Sequence, residues 1–383
     1  MKILMISRGF PSEKEPQDGC FELDQAKALQ KLGHEVIMMS VDCRLKREWR
    51  KIGITRGYID GIRTYKMYYF PTSIIRRINY KLSSWIDKEI GLRLFKTIQH
   101  ECGKFDVIHA HFLPCIYWGV YIKEYCNTPL VGTEHWSKLN VDKLEPYILF
   151  LGNRTYQYVD GLISVCQSLR SRVYNHFNID SYVIHNMIGE DFCWETNKTQ
   201  LHRQFQFISI GNLIQLKGFD LLINAFAKSD LSDRDVKLII VGEGPEHKKL
   251  QQQIDKTGLN QYISLLGHKS KSEIVELLKG SDVYISSSRS ENFSVAVLEA
   301  LSTGLPVIAT ICGGIKECIN EDNGLLVPIE SEDDLASAMV RMYNDYTNYK
   351  RDWIRHDCLE KYSPEVIARQ IEVVYAKVLN KNV

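Results

Sequence analysis

The stretch that decides the fold is SDVYISSSRSENFSVAVLEALSTG, residues 281–304. Its apolar residues 283–285 predict a short strand, the serines after them predict a turn, and a helix is expected to begin near Ser294. Asn292 or Ser294 is expected to cap this helix, because either side chain can accept a hydrogen bond from a first-turn N–H group. The stretch therefore predicts a strand–turn–helix unit whose turn is rich in hydrogen-bonding groups.

Two glutamates lie eight positions apart in this unit, Glu291 just before the predicted helix and Glu299 within it. At a rise of 1.5 Å per residue, eight positions correspond to about 12 Å along a helix. Two carboxyls that attack one glycosidic bond with retention lie about 5 Å apart, so this pair is too widely spaced for that chemistry. The spacing suits the two ends of one extended ligand, with the N–H groups between them available to an anion.

Length and composition predict a globular protein with two domains. The chain has 383 residues, of which 44% are hydrophobic and 25% charged, which is enough apolar material for two cores. No apolar run approaches the roughly 20 residues of a membrane span, and MKILMISRGF at the N-terminus predicts a first strand rather than a secretory signal. Ten cysteines occur without C-x-x-C spacing, so we expect neither a zinc site nor disulfides, and a cytoplasmic location.

The charge is distributed unevenly along the chain. Residues 1–185 contain 26 Lys and Arg against 19 Asp and Glu, whereas the remainder contains 22 against 28. Much of the basic excess lies in RLKREWRK (44–51) and RRINYK (76–81), both of which include aromatic residues. Such a surface can contact anionic lipid on the inner face of the cell membrane; solvated faces without a partner are the alternative. No nucleic-acid module accompanies the charge, so we expect no nucleic-acid partner.

The N-terminal half predicts a parallel sheet. KILMIS (2–7) is typical of a buried strand, and FELDQAKALQKLGHEV (21–36) predicts a helix, a glycine stop and the next strand, which is a βαβ beginning. The intervening loop lacks G-x-G-x-x-G, so a nicotinamide cofactor is not supported. Residues 81–100 show an apolar stripe at helical spacing, which predicts either core packing or a helix at a membrane surface. Residues 194–204 are the predicted linker.

The Glu291 and Glu299 spacing, followed by EALSTGLPVIAT (299–310), resembles the donor-site signature of retaining GT-B glycosyltransferases of family four. GEGP (242–245), LGH (266–268) and NGLLV (323–327) extend the resemblance, which is dense over 205–330 and looser before 180. It implies an α/β fold with two Rossmann-like, doubly wound parallel-sheet domains facing a cleft. The implied domains are 1–190 for the acceptor, with 365–383 packing back on it, and 191–364 for the donor.

The resemblance also implies which residues contact the donor. Glu291 is expected to contact hydroxyls of the sugar, Glu299 the ribose, and Lys217 the leaving diphosphate. The glycine loop DGCF (18–21) and the backbone at 266–267 complete this expectation. Family members usually carry arginine where this chain has Asn212, so one cation of the usual pair is missing. The implied donor-binding residues are Gly19, Asn212, Lys217, Gly242, Gly244, Leu266, Gly267, Glu291, Asn292, Phe293, Ser294 and Glu299.

The first domain is expected to hold the acceptor. DVIHAHFLP (106–114) predicts a strand that ends in a loop, and His111 fits the family position that contacts the transferred sugar. TEHWS (133–137) resembles a segment that faces the acceptor in members that build bacterial surface polysaccharides, which assigns Glu134, His135 and Trp136 to acceptor binding. Loops at the carboxyl ends of parallel strands line the ligand crevice of such sheets. The expected catalytic residues are therefore Glu291, His111 and Lys217.

The function predicted in this way is transfer of a hexose or N-acetylhexosamine from a nucleotide-sugar to a hydroxyl acceptor, with retention of configuration. The acceptor is expected to be a glycan, carried on a lipid, in cell-surface polysaccharide synthesis. No metal or other cofactor is expected, since the chain has no Asp-x-Asp pair and the nucleotide-sugar is a substrate. Three alternatives stay open: a nonhydrolysing sugar-nucleotide epimerase, a phosphorylase of the same fold, and a catalytically silent sugar-binding protein, which the change at Asn212 favours.

Overall fold

The computed structural model describes residues 1–12, 18–44, 51–193 and 204–380. The chain forms two compact units, of which the first comprises Met1–His185 and Pro364–Val383 and the second comprises Asn186–Ser363. Each unit is an α/β structure built on one sheet, as the sequence predicts. Most of the basic cluster at 44–51 and almost all of the predicted linker at 194–204 lie outside the described residues.

The described part of the first unit contains a sheet of eight strands. The strands are β1 (Lys2–Ser7), β2 (Glu35–Asp42), β3 (Gly53–Ile59), β4 (Ile62–Tyr68), β5 (Val107–His111), β6 (Leu130–Glu134), β7 (Gly161–Ser164) and β8 (Tyr182–Val183). The helices are α1 (Cys20–Lys31), α2 (Thr72–Ile78), α3 (Tyr80–Cys102), α4 (Leu113–Cys126), α5 (Pro146–Asn153) and α6 (Gln167–Phe177). The strand order is β3-β4-β2-β1-β5-β6-β7-β8, and all pairs are parallel except β3 with β4.

The second unit contains a sheet that is parallel throughout. Its strands are β9 (Phe205–Ile210), β10 (Val236–Val241), β11 (Ile263–Leu265), β12 (Val283–Ser286), β13 (Val307–Thr310) and β14 (Gly324–Val327). Its helices are α7 (Phe219–Lys228), α8 (His247–Thr257), α9 (Lys271–Lys279), α10 (Val295–Ser302), α11 (Glu332–Asp345) and α12 (Arg351–Tyr362). The strand order is β11-β10-β9-β12-β13-β14.

The strand–turn–helix unit predicted at 281–304 is confirmed as β12, a turn and α10. Every residue of β12 is buried, because helices cover both faces of a parallel sheet. The expected helix cap is wrong in one respect: Ser294 occupies the N-cap position, but its side chain makes no capping hydrogen bond. Ser294 therefore does not supply the side-chain acceptor that an N-cap residue usually gives to the first-turn N–H groups.

The last helix, α13 (Pro364–Asn380), belongs to the first unit, which confirms the expected return of the chain. The Tyr375 hydroxyl lies 2.6 Å from His109 Nδ1, and Glu372 Oε1 lies 2.7 Å from His34 Nε2. Gly161 on β7 leaves space for Val374 and Val378, whose methyl groups would lie only 3.1–3.2 Å from a Cβ atom at that position. Polar and apolar contacts together fix this helix to the first sheet.

The apolar stripe predicted at 81–100 behaves differently at its two ends. Ile90 and Leu94 are buried in the core, as one of the two expectations required. Leu82 and Trp85 are exposed, Trp85 by 57%. The core-packing expectation is therefore confirmed for the C-terminal part of α3 and wrong for its first turn and a half.

All ten cysteines lie in the described residues, and none of them forms a disulfide. Across the described ranges, helices either are too short or carry too little apolar character to span a bilayer.

The buried Tyr375–His109 contact gives a stability prediction. Tyr375→Phe should lower the free energy of unfolding by about 1–3 kcal/mol, because it leaves His109 Nδ1 buried without its partner. His109 Nε2 lies 2.6 Å from Thr133 Oγ1, so the ring is already held on its other side. Tyr58→Phe, at a residue that is 71% exposed, is the matched control and should change stability by less than about 0.5 kcal/mol. Equal urea midpoints for both variants and the parent protein would contradict this account.

Candidate functional site: the carboxyl ends of the two sheets

In the second unit, all predicted donor-binding residues except Glu299 lie in loops that follow the carboxyl ends of parallel strands. Asn212 and Lys217 follow β9, Gly242 and Gly244 follow β10, and the segment 266–267 follows β11. The turn 291–294 follows β12, which is paired with β9 at the centre of the sheet. In open parallel sheets this edge is where ligands bind.

The glycines predicted for donor binding allow these loops to touch one another. Gly242 has a φ of +139°, and a Cβ atom there would lie 1.9 Å from the carbonyl oxygen of Gly211. A Cβ atom at Gly244 would lie 2.4 Å from the carbonyl oxygen of Leu213. The Gly242 N–H group donates to the Gly267 carbonyl oxygen at 2.9 Å. The loops after β9, β10 and β11 therefore form one packed backbone surface that excludes side chains at these positions.

Lys217 and Glu291 meet at this edge as an ion pair between Lys217 Nζ and Glu291 Oε1. Ser288 Oγ donates to the same oxygen at 3.0 Å. Both side chains keep some exposure, 26% for Lys217 and 14% for Glu291. The lysine stem passes beside Gly211, where an added Cβ atom would lie 3.7 Å from it. The structure thus brings together two of the three residues predicted to be catalytic.

Glu299 lies on α10 and is half-buried. Burial, followed by the charges of Glu291 and Glu299, raises the pKa of the Tyr284 phenol, so both carboxylates act on the same side chain of β12. Asn292, Phe293 and Ser294 are buried between them. Asn212 is exposed at the end of β9 and supplies no charge.

Arg289 fixes the turn that carries Glu291, and the sequence analysis missed it. Its guanidinium donates to both carboxylate oxygens of Asp220 at 2.7 and 2.8 Å and to Glu330 Oε1 at 2.6 Å. It also donates to the carbonyl oxygen of Gln215 at 2.6 Å. The turn is thereby attached to the segment that carries Lys217. A lone cation in a serine-rich turn was the available signal, since such a charge needs partners when it is mostly buried.

The loop after β13 supports the same turn from its other side, and this contact was also missed. The Gly314 N–H group donates to the Asn292 carbonyl oxygen at 2.7 Å. A Cβ atom at Gly313, which has a φ of +55°, would lie 1.8 Å from the Glu291 carbonyl oxygen. The Phe293 carbonyl oxygen accepts from Asn186 Nδ2 at 2.9 Å. The adjacent glycines in CGG (312–314) were the signal for a close backbone approach.

In the first unit, Gly19 lies at the start of α1 with a φ of +72°. A Cβ atom at Gly19 would lie 2.1 Å from the Gly9 carbonyl oxygen, so glycine is required for the backbone at these two positions to approach this closely. The neighbouring Asp18 carboxylate accepts two hydrogen bonds from Arg44, at 2.7 and 3.2 Å. The predicted role of Gly19 in approaching the donor stays a prediction.

Three histidines stack at the carboxyl ends of β5 and β6. The ring of His111 lies 4.4 Å from that of His109 and 5.4 Å from that of His135. His111 Nδ1 lies 3.1 Å from His135 Nε2, whereas its buried Nε2 has no hydrogen-bond partner among the described residues. Burial, with smaller contributions from neighbouring charged groups, lowers the pKa of His109 to about 3 and that of His111 well below its usual value. The rings of His109 and His111 are therefore neutral at physiological pH.

Glu134 is fully buried and holds the loop that carries His135 and Trp136. Its Oε1 accepts from the N–H groups of His135 and Trp136 at 3.1 and 3.0 Å, and its Oε2 accepts from the Tyr156 hydroxyl at 2.8 Å. Burial raises the pKa of Glu134 to about 7, although these hydrogen bonds act in the opposite direction. In this arrangement Glu134 positions its neighbours, and Trp136 remains half-buried beside it.

Arg8 and Phe112 also lie at this edge, and the sequence analysis missed both. The Arg8 guanidinium lies 4.1 Å from the centre of the Phe112 ring, and its Nε lies 3.9 Å from Glu22 Oε1. Phe112 has a φ of +66° and places its ring 5.0 Å from that of His135. Arg8 directly follows β1, and that position at the carboxyl end of a central strand was the signal for it.

The stacked histidines are the residues to consider for a metal. Both ring nitrogens of His109 already have partners, Tyr375 and Thr133. Within the described ranges, His, Cys, Asp and Glu side chains form no group of three or more that could hold an ion. The expectation that the protein needs no metal or other cofactor stays a prediction.

Comparison with known protein families gives matches to both parts of the chain. The family described as "Glycosyltransferase Family 4" matches residues 23–192. The family described as "Glycosyl transferases group 1" matches residues 195–356. The two matches together leave only short segments of the chain uncovered.

Individual relatives and solved structures agree with these matches. N-acetyl-alpha-D-glucosaminyl L-malate synthase of Bacillus anthracis is 26% identical over 76% of this chain and 80% of its own length. The putative teichuronic acid biosynthesis glycosyltransferase TuaC of Bacillus subtilis is 27% identical over 89% of both chains. The structure of Anabaena HepE in complex with UDP and glucose has a TM-score of 0.74, at 19% identity over 98% of this chain and 99% of the other. Since matched families span both halves of a chain with the GT-B type of architecture, this protein belongs to glycosyltransferase family 4.

Proposed function

We propose that this glycosyltransferase moves a hexose or N-acetylhexosamine from a nucleotide-sugar to a hydroxyl of a lipid-linked glycan, with retention of anomeric configuration. The observation that carries the proposal is the Lys217–Glu291 pair at the carboxyl edge of the second sheet. Similar proteins support its parts: one relative is an N-acetyl-alpha-D-glucosaminyl L-malate synthase, another is a putative glycosyltransferase of teichuronic acid biosynthesis, and one solved structure holds UDP and glucose.

The donor diphosphate would bind between Lys217 and the start of α10. Helix N-termini attract anions through their unsatisfied N–H groups and the helix dipole. Ser294 makes no side-chain cap there, so its own side chain does not compete for the first-turn N–H groups. Lys217 adds a full positive charge from the adjacent loop. Because the negative charge of the leaving diphosphate grows as the glycosidic bond breaks, preorganised donors of this kind stabilise the transition state.

Glu291 would orient the transferred sugar by accepting hydrogen bonds from its hydroxyls. Its carboxylate is held by Ser288 and Lys217, and its backbone is fixed by the Gly313–Gly314 loop. Glu299 would hold the nucleotide ribose, and the backbone at 266–267 would contact the base. Asn212 would leave the diphosphate with one cation fewer than is usual in the family.

The chemistry requires one bond to break and one to form at the anomeric carbon. The bond from that carbon to the diphosphate oxygen breaks, and the acceptor oxygen attacks from the same face. The leaving phosphate oxygen takes the acceptor proton, so no residue of the chain needs to act as a nucleophile. Lys217 and the α10 N–H groups would carry the charge of the leaving group. His111, kept neutral by its buried surroundings, would hydrogen-bond the transferred sugar.

The acceptor would bind at the carboxyl ends of β5 and β6. Trp136 and His135 would contact it, and Glu134 would keep both in place through their N–H groups. This assigns Glu134 a positioning role within the acceptor site that the sequence predicted. Arg8 and Phe112 line the same edge.

The function is tested by thermal shift with a panel of nucleotide-sugars, followed by turnover of the stabilising donor. Donor binding raises apparent stability by mass action. The proposal expects release of nucleoside diphosphate that depends on an acceptor. An epimer formed from the donor alone would identify an epimerase, sugar 1-phosphate formed with inorganic phosphate would identify a phosphorylase, and binding without turnover would identify a silent protein.

Replacing Glu291 separates catalysis from nucleotide binding. Glu291→Ala should lower kcat about 100- to 1000-fold, because hydrogen bonds that orient the sugar in the transition state are lost. The affinity for UDP should change less than about tenfold, since the ribose and base contacts lie elsewhere. Glu276→Ala, at an exposed carboxylate on α9 that pairs with Lys279, is the control. Normal turnover by the Glu291 variant would refute this role.

Restoring the missing cation tests the position of the diphosphate. Asn212→Arg should tighten UDP binding about fivefold, because a partly exposed charge-assisted contact is worth about 1 kcal/mol. UMP and uridine, which lack the second phosphate, should gain less. Calorimetric titration of all three ligands measures the effect, and Asn260→Arg, remote from this edge on the loop before β11, serves as the matched control. An unchanged or weaker affinity for UDP would place the diphosphate elsewhere.

The raised pKa of Glu134 predicts how stability depends on pH. The carboxyl ionises near pH 4.5 in the unfolded chain and near pH 7 when folded. Between these values the folded state keeps a proton that the unfolded state has lost, so the free energy of unfolding falls as pH rises. Relative to Glu134→Gln, the parent protein should lose up to about 3 kcal/mol between pH 5 and pH 8. Urea titrations at four pH values measure the difference, and parallel curves would contradict the prediction.

A further inference from the structure

The segment of the first unit that runs from the end of β4 to the start of α3 exposes several large apolar side chains. Ile78 is 87% exposed and Trp85 is 57% exposed, values that are unusual for such residues. The exposed basic residues Arg77 and Lys81 lie within the same segment. We call this set of exposed side chains, which lie within 17 successive residues, the apolar–basic face; its members are Tyr69, Phe70, Ile74, Arg77, Ile78, Lys81, Leu82 and Trp85.

The spacing of the apolar residues places them on common helix faces. Ile74 and Ile78 are four residues apart on α2, and Leu82 and Trp85 are three residues apart on α3. Side chains at these spacings lie side by side on a helix. Each helix therefore presents an apolar stripe to solvent rather than to the core.

Polar residues occupy the buried side of the same helices and prevent the stripes from turning inward. Thr72 Oγ1 donates to Asp87 Oδ1 at 2.7 Å, and Ser83 Oγ donates to the Thr72 carbonyl oxygen at 3.3 Å. Ser84, also buried, donates to the Tyr80 carbonyl oxygen at 2.8 Å. A surface helix normally buries its apolar side. In α2 and the first turns of α3, hydrogen bonds hold the polar side chains inward, so the apolar stripes face solvent.

The charges of this segment favour a partner with negative charge. From 61 to 86 the sequence contains no Asp or Glu, whereas Arg76, Arg77 and Lys81 follow one another within α2 and the start of α3. Tryptophan, tyrosine and isoleucine next to lysine and arginine are typical of elements that lie in the interface of a bilayer. Cores of protein–protein interfaces are depleted in lysine, which favours lipid over a protein partner.

We propose that the apolar–basic face docks on bilayer surfaces that contain anionic lipid. Ile78 and Trp85 would enter the boundary between headgroups and acyl chains, and Arg77 and Lys81 would lie at the lipid phosphates. This inference rests on the proposed function in one respect, because docking would bring the enzyme to its lipid-linked acceptor. Binding to lipid is measured independently of sugar transfer.

A contact within the first unit links this face to the predicted acceptor loop. Tyr80, at the start of α3, lies edge-on to the rings of Tyr147 and Phe150 on α5, with centroids 6.2 and 5.3 Å apart. The Arg76 guanidinium lies 4.9 Å from the centre of the Tyr147 ring. α5 follows the loop that carries His135 and Trp136, so an acceptor glycan on a docked lipid would be presented near that loop.

Co-sedimentation of the full chain with two kinds of vesicle tests the proposal. Vesicles of phosphatidylcholine mixed with phosphatidylglycerol should bind the protein at least about tenfold more strongly than phosphatidylcholine alone, and salt should weaken this binding. Ile78→Gln/Trp85→Gln should lower partitioning about tenfold or more on the mixed vesicles. Arg77→Gln/Lys81→Gln should lower it about tenfold and abolish the preference for anionic lipid.

A matched control and two further measurements make the outcome decisive. Val373→Gln/Trp353→Gln changes the same kinds of exposed side chain elsewhere on the surface and should bind vesicles like the parent protein. Circular dichroism and UDP affinity should be unchanged in all variants.

Equal binding to both vesicle types, or parent-like binding of the Ile78/Trp85 variant, would overturn the proposal. A solution dimer abolished by that variant would also overturn it, because the face would then bind a second copy. Vesicle binding without any sugar transfer would instead refute the proposed function alone.

Discussion

Close approach of backbone to backbone at the carboxyl edge of the second sheet is the constraint on which the candidate donor site depends. The carbonyl oxygen of Gly211 occupies the space that a side chain at position 242 would need, and the Glu291 carbonyl oxygen does the same for position 313. Loops packed in this way have little freedom to move independently. Hydrogen-bond donors on them are therefore already oriented before a ligand arrives, which is the condition for electrostatic stabilisation without reorganisation.

The two cations of this edge, Arg289 and Lys217, have different roles. Arg289 is fixed by Asp220, Glu330 and a backbone carbonyl, so its charge is committed to holding the turn. Lys217 contacts Glu291, whose side chain is partly exposed. Because both side chains keep contact with solvent, their ion pair contributes only about 1 kcal/mol to stability. A diphosphate can therefore compete for the lysine at small cost, and the carboxylate released from it can accept hydrogen bonds from sugar hydroxyls.

Sequence patterns predicted those parts of the fold whose signal lies in neighbouring residues. The buried run KILMIS and the strand–turn–helix unit at 281–304 were correct, because strand burial and helix starts leave marks in neighbouring residues. Contacts between distant segments were harder to predict, because the sequence marked the unusual residue but not its partner: Arg289 with Asp220, Gly313 with Glu291, and Arg8 with Phe112 became visible as pairs only in three dimensions. The stripe at 81–100 was ambiguous for a related reason, since periodicity identifies an apolar face but not what covers it. At Ser83 and Asp87 the buried hydrogen bonds decided that question.

We propose that Lys217 exchanges Glu291 for the donor diphosphate when the donor binds. A double-mutant cycle with Lys217→Ala, Glu291→Ala and the double variant, carried out by urea unfolding with and without saturating UDP, measures the coupling of the two residues in each state. The account predicts a coupling of about 1 kcal/mol in the free protein that falls towards zero with UDP bound. Equal coupling in both states would contradict it, because the lysine would then remain committed to the carboxylate.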